Sequence, residues 1–235
     1  MDYKNKYLKY KKKYLKHKLL SLSGGNNKIK VTKEIIINKA FIKWIKEKSQ
    51  FYFNEFKERL PIREFGGFIT FNSETDFSLT DDNPNDSKGD TLFAVDKADN
   101  IPDNQILWHT RFRKRGYKCE APGGADINIL LNIAKNTNKL PISINVEENG
   151  FWMYYLTREL SDKMKEEFSN FSDWTQWIIN AVGNIMCSDK PDVMDEYHPD
   201  DLKDNGIKEI KNLEDYYEHV NRIFHEHIYI KYIEF

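Results

Sequence analysis

The sequence predicts an α/β chain of the mixed α+β kind, a central mixed sheet flanked by helices, with a mainly helical C-terminal extension. Three observations carry that expectation. Short runs with a two-residue apolar period alternate with helically spaced runs as far as about residue 160. Glu147-Glu148-Asn149-Gly150 separates two apolar runs and ends in Asn-Gly, a strong hairpin signal. Beyond Ser161 the apolar spacing becomes helical until the strand-like ending at His227 to Phe235.

The 235 residues fit one globular domain with an extension, and 40% hydrophobic residues, including 15 Phe and 5 Trp, suffice for a core. Cys119 and Cys187 lie far apart and outside any CxxC spacing. Neither a disulfide framework nor a thiolate zinc site is therefore expected, and a reducing compartment is the simpler reading. No window reaches the ~18 consecutive apolar residues of a membrane span, and the N-terminus lacks the apolar stretch of a secretory signal. An intracellular protein without a membrane span is expected.

The net charge of -1 conceals a segregation: residues 1 to 18 hold eight lysines against the single acid Asp2, a net +7, which leaves -8 for residues 19 to 235. Three segments follow: a basic tail and linker over 1–27, a folded domain over 28–160 and the extension over 161–235.

In the tail, Tyr3, Tyr7, Tyr10 and Tyr14 recur at spacings of four and three and share one helical face, with lysines on the others. Lys4, Lys6, Lys9, Lys11, Lys12 and Lys13 make it a candidate contact for nucleic acid, an anionic surface or a partner helix. A solvated tail with no specific partner is the ordinary alternative. The Tyr-Leu-Lys pattern resembles the leader on many proteins of giant DNA viruses of the mimivirus group. That resemblance, over about twenty residues, implies host cytoplasm or a viral factory and packaging in the virion. Ser21 to Asn27 reads as a flexible linker.

Ile29 to Ile37 is β-branched and predicts a strand. Asn38 can then cap a helix that turns Phe41, Trp44, Ile45, Phe51 and Phe56 inward and ends by Pro61. Glu64 to Phe71, EFGGFITF, reads as a buried strand whose glycines allow close backbone approach. Residues 72–90 are acidic and turn-rich and predict an exposed loop, with a short strand at Thr91 to Val95. In the strand Gln105 to Phe112, alternation puts Leu107, His109 and Arg111 on one face, Trp108 and Thr110 on the other. A helix from Asp126 to Lys135 carries Ile127, Leu130, Leu131 and Ala134 inward, and strands Pro141 to Val146 and Phe151 to Leu156 form the hairpin. Helices are expected at Asp173 to Met186 and Leu213 to Phe224.

The residues that carry chemistry are EFGG at Glu64 to Gly67, then His109-Thr110-Arg111 at a strand end, then Gly123-Gly124-Ala125-Asp126 opening a helix. This order resembles the zinc isopeptidases of the JAMM (MPN-domain) family. Their pattern is E-x-G/C-G in a strand, H-x-H-P at a strand end and S-x-x-D at a helix start. In that family two His and the Asp hold zinc, the Glu is general base on the bound water, and the Ser helps hold the oxyanion. The resemblance spans roughly residues 30 to 156. It implies Glu64 as a relic general base, His109 and Asp126 as relic zinc ligands, and Arg111 where the second His belongs. Phe112 stands for the Pro and Gly123 for the Ser.

A guanidinium has no lone pair to give a metal and stays cationic, so Arg111 speaks against zinc. It is expected to substitute electrostatically for the metal beside the two carboxylates. The implied protein is a catalytically degenerate scaffold or binding module with a protein partner, a ubiquitin-like one included, and no cofactor. Zinc enters only in the alternative of an active isopeptidase with an atypical ligand set. A further alternative is a viral structural protein that binds nucleic acid through its tail. Each residue also has an ordinary reading as strand histidine, loop arginine or helix-capping aspartate.

Arg113, Lys114 and Arg115, near Tyr117 and Lys118, form a second candidate nucleic-acid or partner contact, or a merely solvated basic loop. His225 and His227 form a His-x-His that could bind metal on a strand, but no acid or Cys partner has distinctive spacing, so His198, His219, His225 and His227 read as surface histidines. The absence of GxxxxGK[ST], GxGxxG, HExxH and GxSxG removes the common nucleotide, zincin and serine-hydrolase readings.

Overall fold

The structure, a computed structural model, describes residues 29–56, 66–82, 101–110, 121–137, 139–169, 180, 213–223 and 227–235. Asn38 stops one helical turn and starts a helix. Its Oδ1 accepts the Phe41 N–H at 2.8 Å, which satisfies a first-turn donor. The short helix α1 (Lys33–Ile36) therefore runs into α2 (Lys39–Phe56).

Six strands form one mixed sheet: β1 (Gly66–Ser73), β2 (Asp76–Asp82), β3 (Gln105–Thr110), β4 (Ile142–Val146), β5 (Gly150–Leu156) and β6 (Ile228–Glu234). Their order is β2-β1-β3-β4-β5-β6, with β3 and β4 parallel and every other pair antiparallel. A parallel pair needs a crossover, which α3 (Gly124–Thr137) supplies. Among the described residues the further helices are α4 (Asp162–Ser169) and α5 (Leu213–Ile223).

Period-two alternation splits the sheet into two faces. Ile69, Phe71, Ile106, Trp108, Ile144 and Phe151 pack with Phe41 and Ile45 of α2. Phe41 is the hub, stacked on Phe71 at 5.2 Å and edge-on to Phe77 at 5.3 Å and Phe151 at 6.0 Å. On the opposite face Leu107 packs with Ile133 of α3. Ile127, Leu130, Leu131 and Ala134 are buried as their helical spacing requires.

Three expectations are corrected. Ile29 to Ile37 is not a strand: Ile36 and Ile37 N–H bond back to Thr32 and Lys33 carbonyls, as in a helical turn. β-propensity spans about 1 kcal/mol, whereas burying one Ile side chain is worth about 2 kcal/mol, so the docking of Ile36 decides. The expected loop 72–90 contains β2, because Phe77 and Leu79 sit opposite Phe71 and Ile69 in register and add to their core. Phe51 points outward at 59% exposure, and Tyr52 and Phe53 take the buried positions.

The last strand, β6, pairs along its length with β5, so the end of the chain is an edge of the central sheet. The Tyr217 hydroxyl of α5 accepts the Tyr232 N–H of β6 at 2.5 Å and covers part of that edge. Among the described residues no helix is long and apolar enough to cross a membrane. The strand expected at Thr91 to Val95 and the helix expected at Asp173 to Met186 lie outside them, apart from helical Asn180.

Candidate functional site

A single row of register partners crosses the sheet: Gly66 to His109, His109 to Asn145, Asn145 to Trp152, and Trp152 to Tyr232. His109 stands next to last in β3, so the row lies near the C-terminal ends of the parallel pair. In open α/β sheets that edge, with the helix N-terminus that follows, is where polar groups converge.

Asp126 reaches this row from the first turn of α3. Its Oδ1 lies 3.3 Å from His109 Nε2. Its Oδ2 accepts the Gly123 N–H at 2.7 Å and the Asn145 Nδ2–H at 3.2 Å. Asn145 Oδ1 in turn accepts the Tyr154 hydroxyl at 2.7 Å. The phenol donor and the carboxylate acceptor together fix the orientation of the Asn145 amide. His109, Asp126, Asn145 and Tyr154 thus form one relay across β3, α3, β4 and β5. Asp126 and His109 side chains keep only 6% and 13% of their exposure, in a setting where electrostatic contacts exceed their strength in water.

The helix starts at Gly124, two residues before its expected first residue, so Asp126 lies within the first turn. By bonding the N–H of Gly123, its carboxylate acts as the acidic half of a capping box. The next first-turn donor is met from far away: Asn180 Oδ1 accepts the Gly124 N–H at 2.8 Å. One residue past β4, Glu147 is fully buried and its Oε1 accepts the Trp152 indole N–H at 2.5 Å.

Of the residues singled out from the sequence, His109 and Asp126 are brought together. Glu64, Arg111, Arg113, Lys114, Arg115 and the tail residues Lys4, Lys6, Lys9, Lys11, Lys12 and Lys13 lie outside the described residues. Asn145, Tyr154 and Asn180 were not anticipated. Asn145, a lone amide inside the apolar strand Ile142–Val146, was the one legible signal. The expectation of surface histidines is corrected for two of them: His219 and His227 are buried. His227 accepts from the Arg158 guanidinium at 3.0 Å, and His219 Nδ1 lies 3.3 Å from Arg222. Burial, then the nearby Arg222 charge, holds the His219 imidazole below its ordinary value.

Zinc at about 2.0 to 2.1 Å from two tetrahedral ligands sets those atoms about 3.3 Å apart. The His109 to Asp126 spacing of 3.3 Å matches that edge and is longer than a normal charge-assisted hydrogen bond. The pair therefore fits two of the three protein ligands that a catalytic zinc requires. Among the described residues no group of three or more His, Cys, Asp or Glu gathers around a common point. Comparison of the chain with protein-family models, with curated proteins and with solved structures gave no match.

Proposed function

We propose that the chain is a catalytically degenerate JAMM/MPN-like protein that works as a protein-binding or scaffold module. The observation that carries this reading is the meeting of His109 and Asp126 at 3.3 Å, seventeen residues apart in sequence, near the end of β3 and at the start of α3. Arg111 follows His109 by two residues where the family pattern has its second His. By the family pattern that place belongs to a third ligand, and a guanidinium supplied there would disfavour a dication and leave the polar relay as structure.

In this reading the relay locks α3 onto the sheet, because Asp126 accepts from Asn145 of β4 and meets His109 of β3. The module presents its surface to a protein partner, with a ubiquitin-like protein among the candidates. The tail, with its net +7, serves assembly or localisation on nucleic acid or another anionic surface, in host cytoplasm, viral factory or virion.

The zinc-compatible spacing of His109 and Asp126 favours a second reading, an active zinc isopeptidase with an atypical third ligand. Zinc held there would lower the pKa of a bound water towards neutrality and supply a nucleophile. His109 and Asp126 would hold the ion, and Asn145 would keep Asp126 oriented towards it.

Elemental analysis after dialysis against zinc separates the two. The native chain is expected to carry no stoichiometric metal, and Arg111→His to acquire it. Stoichiometric zinc in the native chain, with cleavage of a ubiquitin-like conjugate, would establish the second reading instead.

A further inference from the structure

Gly123 occupies the residue before α3, where a helix usually places Ser, Thr, Asp or Asn so that a side-chain oxygen meets a first-turn N–H. Glycine has no such oxygen. Asn180, 56 residues further along the chain from Gly124, brings one: its Oδ1 accepts the Gly124 N–H at 2.8 Å. A Cβ built on Gly123 would stand 2.7 Å from that same oxygen, too close for both to remain, and 3.8 Å from Asp126 Oδ2. The Asn180 amide thus fills the volume of the side chain that position 123 lacks, beside the carboxylate that faces His109.

We propose that Asn180 is a positioning residue for the His109 and Asp126 pair, acting as a cap supplied in trans along the chain. The first turn of a helix presents several N–H groups that attract an anion. With Gly124 N–H engaged by Asn180, it does not draw on the Asp126 carboxylate, whose partners include Gly123, Asn145 and His109. Without Asn180, the Gly124 N–H competes for that carboxylate and draws it towards the helix end. A side chain at 123 and the amide at 180 compete for one volume, but a hydroxyl at 123 would meet the N–H of Ala125 or Asp126 and not that of Gly124. The proposal rests on the reading of His109 and Asp126 as the site.

A double-mutant cycle on the full-length chain tests it, with Gly123→Ser, Asn180→Ala and the combination followed by urea unfolding and by the 15N resonances of the His109 ring. Asn180→Ala is expected to lower the folding equilibrium constant about fivefold, the usual loss for a helix cap, and to move the His109 resonances. Gly123→Ser is expected to be destabilising beside Asn180, where its Cβ meets the amide oxygen. In the Asn180→Ala background it should stabilise, since the clash is gone and the hydroxyl caps Ala125 or Asp126, while the His109 resonances stay displaced because the Gly124 N–H still lacks its acceptor. Additive stability effects would overturn the proposal, as would unmoved His109 resonances in Asn180→Ala. Should Asn180→Ala not fold, the double variant is read in its place: displaced His109 resonances support the proposal and native-like ones overturn it. These readouts involve neither metal nor partner, so their failure is distinct from a failure of the zinc test on Arg111→His.

Discussion

His109 Nε2 lies 3.3 Å from Asp126 Oδ1, while the other oxygen of the same carboxylate holds the Gly123 N–H and the Asn145 amide. One buried side chain therefore joins β3, β4 and the start of α3. Asp126→Ala strands the donors of Gly123 and Asn145 and is expected to cost about 3 kcal/mol of unfolding free energy in a urea titration. A loss below about 1 kcal/mol would mean that the relay is not satisfied as described.

Tyr154→Phe removes only the far end of that relay. The Asn145 oxygen then lacks its 2.7 Å donor while the packing of the ring is kept. The expected loss is about 1 kcal/mol. An unchanged urea midpoint would show that the phenol donates nothing of consequence to Asn145.

Two phenylalanines of α2, Phe41 and Phe51, are expected to behave oppositely. Phe41 is fully buried among Phe71, Phe77 and Phe151, and Phe41→Ala should cost about 4 kcal/mol. Phe51 is 59% exposed, and Phe51→Ala should change stability by no more than about 0.5 kcal/mol. Equal effects in thermal or urea unfolding would overturn the assignment of the helix face.

Stability should fall at mildly acidic pH through His219. Burial and Arg222 hold its native pKa below the ordinary 6.5, so the unfolded chain takes up a proton before the folded one does. The stability held by the neutral ring is complete above about pH 6.5 and is lost as pH falls through the native value. His219→Leu is expected to flatten this part of the pH profile of the urea midpoint. A profile with the same slope in variant and native chain would exclude His219 as its source.

At Gly150 an added Cβ would meet the Ile233 carbonyl at 2.5 Å and the Tyr232 hydroxyl at 2.6 Å. Backbone cannot step aside as a side-chain tip can. Gly150→Ala is expected to cost about 2 kcal/mol and to loosen amide-exchange protection along β6. Native-like protection there would show that the β5 to β6 pairing tolerates the methyl.

Among the described residues from Gln105 to Leu156 the strands and the helix were legible, because their signals are local. A strand's side chains alternate by backbone geometry, so His109 had to face away from Trp108, and a 3.6-residue period had to bury Ile127, Leu130 and Leu131 together. The capping oxygen of Asn38 acts over three residues and was legible for the same reason. Less visible was β2, whose two apolar residues gain their meaning only opposite Phe71 and Ile69. The β-branched run before Asn38 misled, since its outcome turned on what Ile36 could dock against.

By itself, the sequence determined the mixed α+β class, the hairpin of β4 and β5, and the facing of His109 and the early placement of Asp126 in α3. Those follow from chain geometry and nearest-neighbour chemistry. Only the tertiary structure decided that His109 and Asp126 meet, that Asn145 and Tyr154 secure them, and that β6 closes the sheet beside β5. It alone brought Asn180 to the bare start of α3. Such contacts join segments tens of residues apart, and their free energy exists only once the intervening chain has folded and excluded water from the shared surface.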